Sequence, residues 1–277
     1  MKKRNDDIAK KYTGALSGKN NSIISATGNA KFANYANRNS GAIPPELWNT
    51  SFGCGDPVAF SAVEPGQAVL DLGCGTGLDL ILSAEKVGSN GRVIGVDMTD
   101  EMLLKARRNI SASGHKNIDV RKGLIESLPV QSNSIDWVIS NCVINLSADK
   151  NRVFDEIFRV LKPGGKMLVS DIVADDLPFW IRHSGLLRAA CAGGAISESK
   201  YLSGLASAGL HNGHILARQY YEPSQMASIV TDALPLHIAN LSCCGKSITK
   251  SALMRAATPI AKKLWSARVY AEKPHSH

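Results

Sequence analysis

Three cysteines stand in loop-like settings: Cys54 in SFGCGDP, Cys142 in SNCVINLS and Cys191 in CAGGAIS. A thiolate is a soft ligand and a nucleophile. A cysteine on an accessible loop can therefore hold a soft metal or metalloid, attack an electrophile, or cycle through a disulfide. The three lie 88 and 49 residues apart, which excludes a short zinc motif, so any shared site has to be assembled by the fold. Taken singly, each also reads as a small buried apolar residue.

A second set of residues could hold a nucleoside ligand. The run Asp71-Leu72-Gly73-Cys74-Gly75-Thr76-Gly77 ends one apolar stretch and opens a helical one. Its glycines permit a tight turn and let a ligand approach the backbone. Asp97 ends the next apolar stretch, twenty residues past Gly77, where a carboxylate can accept hydrogen bonds from ribose hydroxyls. The glycine spacing departs from the dinucleotide fingerprint GxGxxG. The charge of Asp71 would repel a pyrophosphate and suits a cationic amino group or sulfonium. Together these features favour S-adenosylmethionine over a nicotinamide dinucleotide. The plainer alternative makes Asp71 a cap of the glycine loop.

Positioning these residues requires alternating strands and helices, and the pattern supplies them. Residues 67–73, 91–97, 117–123, 134–141 and 166–173 read as strands, and 77–87, 99–114 and 149–162 as helices, the last ended by Pro163-Gly164-Gly165. Thr99 is a good N-cap, with Asp100 and Glu101 favourably placed in the first turn behind it. Such alternation predicts an α/β fold with a doubly wound, mainly parallel sheet. Ligands in such sheets bind beyond the carboxyl ends of the strands, which is where Cys142 falls and where Asn141, counted among the cofactor-binding residues, ends the fourth strand. The chain divides into a polar N-terminal arm (1–45), an S-adenosylmethionine-binding core (46–175) and a C-terminal cap or substrate-binding region (176–277), whose pattern reads as helical and irregular.

Composition narrows the function classes. The chain has 277 residues, 44% hydrophobic and 20% charged, an ordinary globular balance that excludes a wholly disordered chain. No apolar run approaches the roughly 20 residues of a membrane-spanning helix. The basic N-terminus has no apolar core behind it, so it does not read as a secretory signal. Six cysteines are too few for a disulfide scaffold, and reduced thiols in a cytoplasmic enzyme are expected. The net charge of +8 splits into +5 over 1–50, −3 over 51–175 and +6 over 176–277. The basic residues are scattered and only 6% of residues are aromatic, so a nucleic-acid partner is not expected.

The motifs as a set resemble a known family. VLDLGCGTG, GVDMT, IESLP and RVLKPGG are similar to the class I S-adenosylmethionine-dependent methyltransferases, whose fold is Rossmann-like. With GCGDPVA, SNCVINLS, CAGGAIS and the closing WSARVYAEKP, the chain resembles the arsenite methyltransferases over about residues 50–205. The resemblance implies that Asp71 neighbours the methionine amino group, that Gly73, Gly75, Thr76 and Gly77 carry its backbone, and that Asp97 holds the ribose. Met98 would lie against the adenine, and Ile125 and Glu126 in the segment that meets its edge. Many relatives carry an acid where this chain has Leu124. Cys54, Cys142 and Cys191 match the family's arsenic-binding cysteines, both ligands and catalytic groups. Three thiolates leave the lone pair of trivalent arsenic free to attack a sulfonium methyl.

The implied partners are arsenite or its thiol conjugate and an external thiol reductant of thioredoxin or glutathione type, acting on a monomer with no nucleic acid or membrane. Cys74 reads as packing. The pair Cys243-Cys244 resembles terminal pairs of some relatives. A further upstream cysteine of some relatives is missing, since residues 1–53 hold none. Residues 46–58, which carry Cys54 on a glycine-flanked loop, are expected to be mobile until arsenic binds. Two alternatives remain: a methyltransferase of another small molecule, with the same core and no need for three loop thiols, and a non-catalytic arsenite binder.

Overall fold

The computed structural model describes residues 55–175, 192–221 and 263–275, together with Asp6, residues 8–10 and 13–14, and Leu47. Its centre is a seven-stranded sheet in the order β3-β2-β1-β4-β5-β7-β6. The strands are β1 (Ala68–Leu72), β2 (Arg92–Asp97), β3 (Ile118–Lys122), β4 (Ile135–Asn141), β5 (Leu161–Ala174), β6 (His211–Tyr220) and β7 (Leu264–Glu272). The first five pair in parallel, and β7 runs antiparallel to both β5 and β6. The described helices longer than one turn of 3-10 are α1 (Pro57–Phe60), α2 (Leu78–Val87), α3 (Asp100–Ser113), α4 (Lys150–Val160) and α5 (Glu198–Ser207). None is long and apolar enough to cross a membrane.

Parallel strands joined by helices are buried on both faces, and strand alternation sorts their side chains into two cores. Val69, Val93, Trp137, Ile139 and Leu168 face α2 and α3, joined by Leu47 and Val58. Leu70, Leu72, Val96, Val138, Met167 and Val169 face α4 and α5. α4 shows how sequence makes such an element. Asp149 caps it by accepting from Arg152 N at 3.1 Å, Val153, Phe154, Ile157 and Val160 form its buried stripe, and Leu161 is already extended ahead of Lys162-Pro163. The Pro163-Gly164-Gly165 run then falls inside β5, where the pairing with β4 jumps from Ile135–Leu161 to Trp137–Lys166.

The region beyond 176 departs from its expected helical, irregular pattern, because residues 211–220 and 264–272 are strands of the main sheet. β6 hides its period: it is the edge strand, its burial alternates only between exposed and half-buried, and its register against β7 slips twice. β7 alternates clearly, with Trp265, Ala267, Val269 and Ala271 turned into the α4–α5 core. The only described residues of the polar arm are Asp6, 8–10 and 13–14, and Ile8 among them is buried.

Phe154 joins these layers, its ring centroid 5.1 Å from that of Tyr201 on α5 and its edge filling the space beside Gly204. Replacing Phe154 by Ala should lower the unfolding free energy by about 3–5 kcal/mol, read from the midpoint and slope of a urea titration.

Candidate functional site

The site is built where β1 and β2 end side by side. After Leu72 the chain crosses over β2, with Gly73 N and Cys74 N both donating to Val96 O at 2.8 and 3.1 Å. Gly73, Gly75 and Gly77 all have positive φ, at 68°, 51° and 90°, so the turn depends on residues without a β-carbon. At Gly75 a β-carbon would point into open space, leaving the backbone accessible to a ligand. Gly75 N donates to Asp97 Oδ2 at 3.0 Å and Thr99 N to Asp97 Oδ1 at 2.8 Å. Thr99 occupies the N-cap of α3, but its side chain makes no capping bond; it supports Asp97 instead.

Asp71 is in a different state. Its carboxylate is buried and accepts no hydrogen bond from the described residues. Burial, reinforced by the neighbouring Asp79 and Asp97, holds it well above the ordinary carboxylate range. Burial also raises Asp97, opposed by its backbone donors. Three carboxylates thus face one space, with Asp79 also receiving Asn141 Nδ2 at 3.3 Å. This donor set fits a ligand that brings a cationic amino group and a sulfonium.

One cavity is lined by Asp71, Gly73, Gly75, Thr76, Asp97, Met98, Ile125, Glu126, Asn141 and Cys142. Gly77 does not line it; it starts α2 in the left-handed conformation and packs on Ala106. Leu124 does line it, so an apolar side chain stands where many relatives have an acid. Glu126 accepts from Ser147 Oγ at 2.5 Å. Cys74 is a free, buried thiol that fills the space beside Gly95, and burial pushes its pKa up. Sequence reasoning missed Ile8, Asp79, Met102 and Ser147. Asp79 carried a signal, as an acid in the first turn of a helix that follows a glycine loop. Ile8, in a polar arm, carried none.

Cys142 sits just past β4 with a left-handed φ of 60°, uncommon for a residue with a β-carbon. Its N–H donates to Ser170 O at 2.8 Å. The cysteine is buried and disulfide-bonded. Cys54, Cys191, Cys243 and Cys244 lie outside the described residues, but the stretches after Cys54 and Cys191 do not. Gly55 is hydrogen-bonded to Asn141, and Ala192–Gly194 packs on the turn 144–146. Of the segment expected to be mobile, Leu47 and 55–58 are described, and Leu47 is buried. Asp56 caps α1 through Ala59 N at 2.8 Å, and Lys86 Nζ donates to Val58 O and Ser61 O.

The raised pKa of Asp71 carries a sign that can be tested. The folded state holds its proton more tightly than the unfolded chain, so Asp71 costs stability as pH rises above the ordinary carboxylate range. Asp71→Asn should leave the ligand-free melting temperature unchanged near pH 4 and raise it at pH 7, by about 2–4 °C per kcal/mol relieved. The same variant should weaken S-adenosylmethionine binding, measured by calorimetry. An unchanged melting temperature at pH 7 contradicts the assignment.

Comparison with known proteins agrees with this geometry. A family profile for a methyltransferase domain matches residues 63–209, just over half the chain. An arsenite methyltransferase of Halobacterium salinarum is 54% identical over 121 residues, covering 44% of this chain and 31% of that protein. One from Aquipseudomonas alcaligenes is 41% identical over 162 residues, covering 56% and 46%. The chain thus spans less than half the length of these curated relatives. The crystal structure of an arsenic(III) S-adenosylmethionine methyltransferase from Chlamydomonas reinhardtii superposes with a TM-score of 0.65 at 30% identity, covering 84% of this chain and 71% of that one. With the glycine loop, its three carboxylates and Cys142 lining one cavity, the chain belongs to the arsenite methyltransferase family of methyltransferase-domain proteins.

Proposed function

We propose that this protein methylates trivalent arsenic held by cysteine thiolates, using S-adenosylmethionine as donor. The observation that carries the reading is that Cys142 lines the same cavity as Asp71, Asp97 and the glycine loop. A thiolate-held arsenic and a methyl donor would share that cavity. When bound, S-adenosylmethionine supplies a methyl group on a cationic sulfur, which the arsenic lone pair can accept as the carbon–sulfur bond breaks.

The protein's own part is orientation, charge and dryness. Asp71 and Asp79 offer negative charge to the amino end of the donor. Asp97 keeps lone pairs for ribose hydroxyls because its backbone donors occupy only part of its capacity. Met98, Ile125 and Leu124 give the base an apolar bed, with Glu126 at its edge. Cys54, Cys142 and Cys191 hold arsenic as three thiolates, leaving its lone pair toward the donor. No protein base is required in the transfer. Methylation takes two electrons from arsenic; two thiolates closing to a disulfide return them, and an external thiol reductant, one dithiol of thioredoxin type or two equivalents of glutathione type, restores the thiols. The disulfide at Cys142 supports such a cycle. Donor binding is assigned to residues 46–175 and the acceptor side to 176–277, with Ile8 of the arm covering the cavity.

Incubating the reduced protein with arsenite and S-adenosylmethionine, then separating arsenic species, should reveal methylated arsenic. Cys142→Ser and Cys191→Ser should abolish both the first and second transfers. Cys54→Ser should abolish the first and spare conversion of monomethyl to dimethyl arsenic, which needs two thiolates. Unchanged arsenite from a wild-type protein that binds the donor overturns the reading in favour of another small-molecule acceptor.

A further inference from the structure

The segment Ser140-Asn141-Cys142-Val143-Ile144-Asn145 places an asparagine on each side of Cys142, and the two asparagines work on opposite faces of the sheet. Asn141 belongs to the α2–α3 face, by its alternation with Trp137 and Ile139. Its side-chain amide donates to Gly55 O at 2.6 Å and accepts from Gly55 N at 3.2 Å. Both bonds go to one residue, so Gly55 is fixed in position and orientation. Ser170, the strand neighbour of Asn141, closes the floor: a β-carbon on Gly55 would lie 2.6 Å from its Oγ.

Asn145 works on the α4–α5 face. It is fully buried, and its Nδ2 donates to Asp171 Oδ1 at 2.7 Å and to Ile172 O at 2.6 Å, fastening the turn 144–146 to β5. Its backbone carbonyl meets Gly194 so closely that a β-carbon there would collide with it. Ala174 N donates to Ile196 O at 3.1 Å just beyond. The turn following Cys191 is thereby seated on the turn following Cys142.

We propose that Asn141 and Asn145 are positioning residues of the acceptor site: Asn141 seats Gly55, the residue after Cys54, and Asn145 seats Gly194, three residues after Cys191, each beside the strand end that carries Cys142. The proposal rests on the arsenic reading above for its purpose, but not for its geometry. Neither asparagine transfers a proton or binds arsenic. Each converts a distant stretch of chain into a neighbour, from its own side of the sheet. Gly194 is the counterpart of Asn145, since only a residue without a side chain allows that approach.

The test uses the full-length reduced protein and dibromobimane, a reagent that joins two nearby thiols, with the joined pairs identified by peptide mapping. Wild type should yield both Cys54–Cys142 and Cys142–Cys191 products. Asn141→Ala should slow the first about tenfold or more and leave the second unchanged. Asn145→Ala should do the reverse. Gly194→Ala, which leaves the buried amide bonds intact, should match Asn145→Ala while binding S-adenosylmethionine within about twofold of wild type. In methylation assays Asn141→Ala should lose the first transfer, as Cys54→Ser does, and calorimetry of S-adenosylmethionine binding separates that loss from any effect on the donor through Asp79. Equal loss of both products in every variant, no loss in any, or neither product from wild type overturns the proposal. The expected linking pattern in a protein that leaves arsenite unmethylated would instead overturn the function and leave the positioning roles standing.

Discussion

At the carboxyl end of β1 a carboxylate is buried with no hydrogen-bond donor among the described residues, and two more carboxylates lie beside it. Removing a charged carboxylate from water costs several kcal/mol unless a partner replaces the lost hydration. Elsewhere the chain supplies such partners readily: Arg159 makes two hydrogen bonds to Glu156, Arg218 two to Glu198, and Lys162 two to Asp136. At Asp71 the described residues supply none. Asp97, at the end of the neighbouring strand β2, is braced by two backbone N–H groups and is a fixed part of the loop. The difference separates a carboxylate that shapes the loop from one that waits for a cationic ligand. The glycines, the crossing of the loop over Val96 and the entry of α2 all serve to hold that unpaired charge at the mouth of the sheet.

The second ingredient is alternation across neighbouring strands. Asn141, Ser170 and Arg268 stand in one row, since they are register partners on β4, β5 and β7. That row is the bed of residues 55–60. At its far end the Arg268 guanidinium lies over the Phe60 ring, 3.3 Å from the centroid, a cation–π contact made where burial lowers the pKa of the arginine. One residue further along β5 the side chain points the other way. Asp171, buried and pushed up to about 7 by its burial, lies among Asn145, Tyr201 and Lys150. Two different polar floors, one per face, therefore flank the strand end that carries Cys142.

Much of this was legible in the residues. The first four strands and α2–α4 follow from apolar runs, caps and glycine stops, because both faces of a parallel sheet are buried and leave strong patterns. The glycine loop, Asp71 and Asp97 were readable because their spacing is local. β6 was not, since an edge strand with one half-buried face and two register slips presents almost no period. β7 alternates in the structure, but it lies in a stretch that reads as helical and irregular, and no local pattern encodes its pairing with β5 and β6, which lie far away in the chain. Ile8 escaped for a similar reason: its place in the cavity depends on contact between distant segments. The seating of residues 55 and 192–194 could not be read either, because an asparagine beside a cysteine says nothing about which distant peptide it will hold.

The strand order has a consequence for how the molecule is made. β7 is inserted between β5 and β6, so during synthesis β6 emerges with no neighbour to pair with. Its backbone donors and acceptors stay open until residues 264–272 have left the ribosome. The five parallel strands can assemble while the chain is still growing, but the last two must join together, after translation of β7. Until then the outer edge of β5, otherwise covered over Lys166–Ala174, is an exposed template for other chains. The nascent protein is thus most vulnerable to aggregation in the interval between the completion of β5 and the arrival of β7.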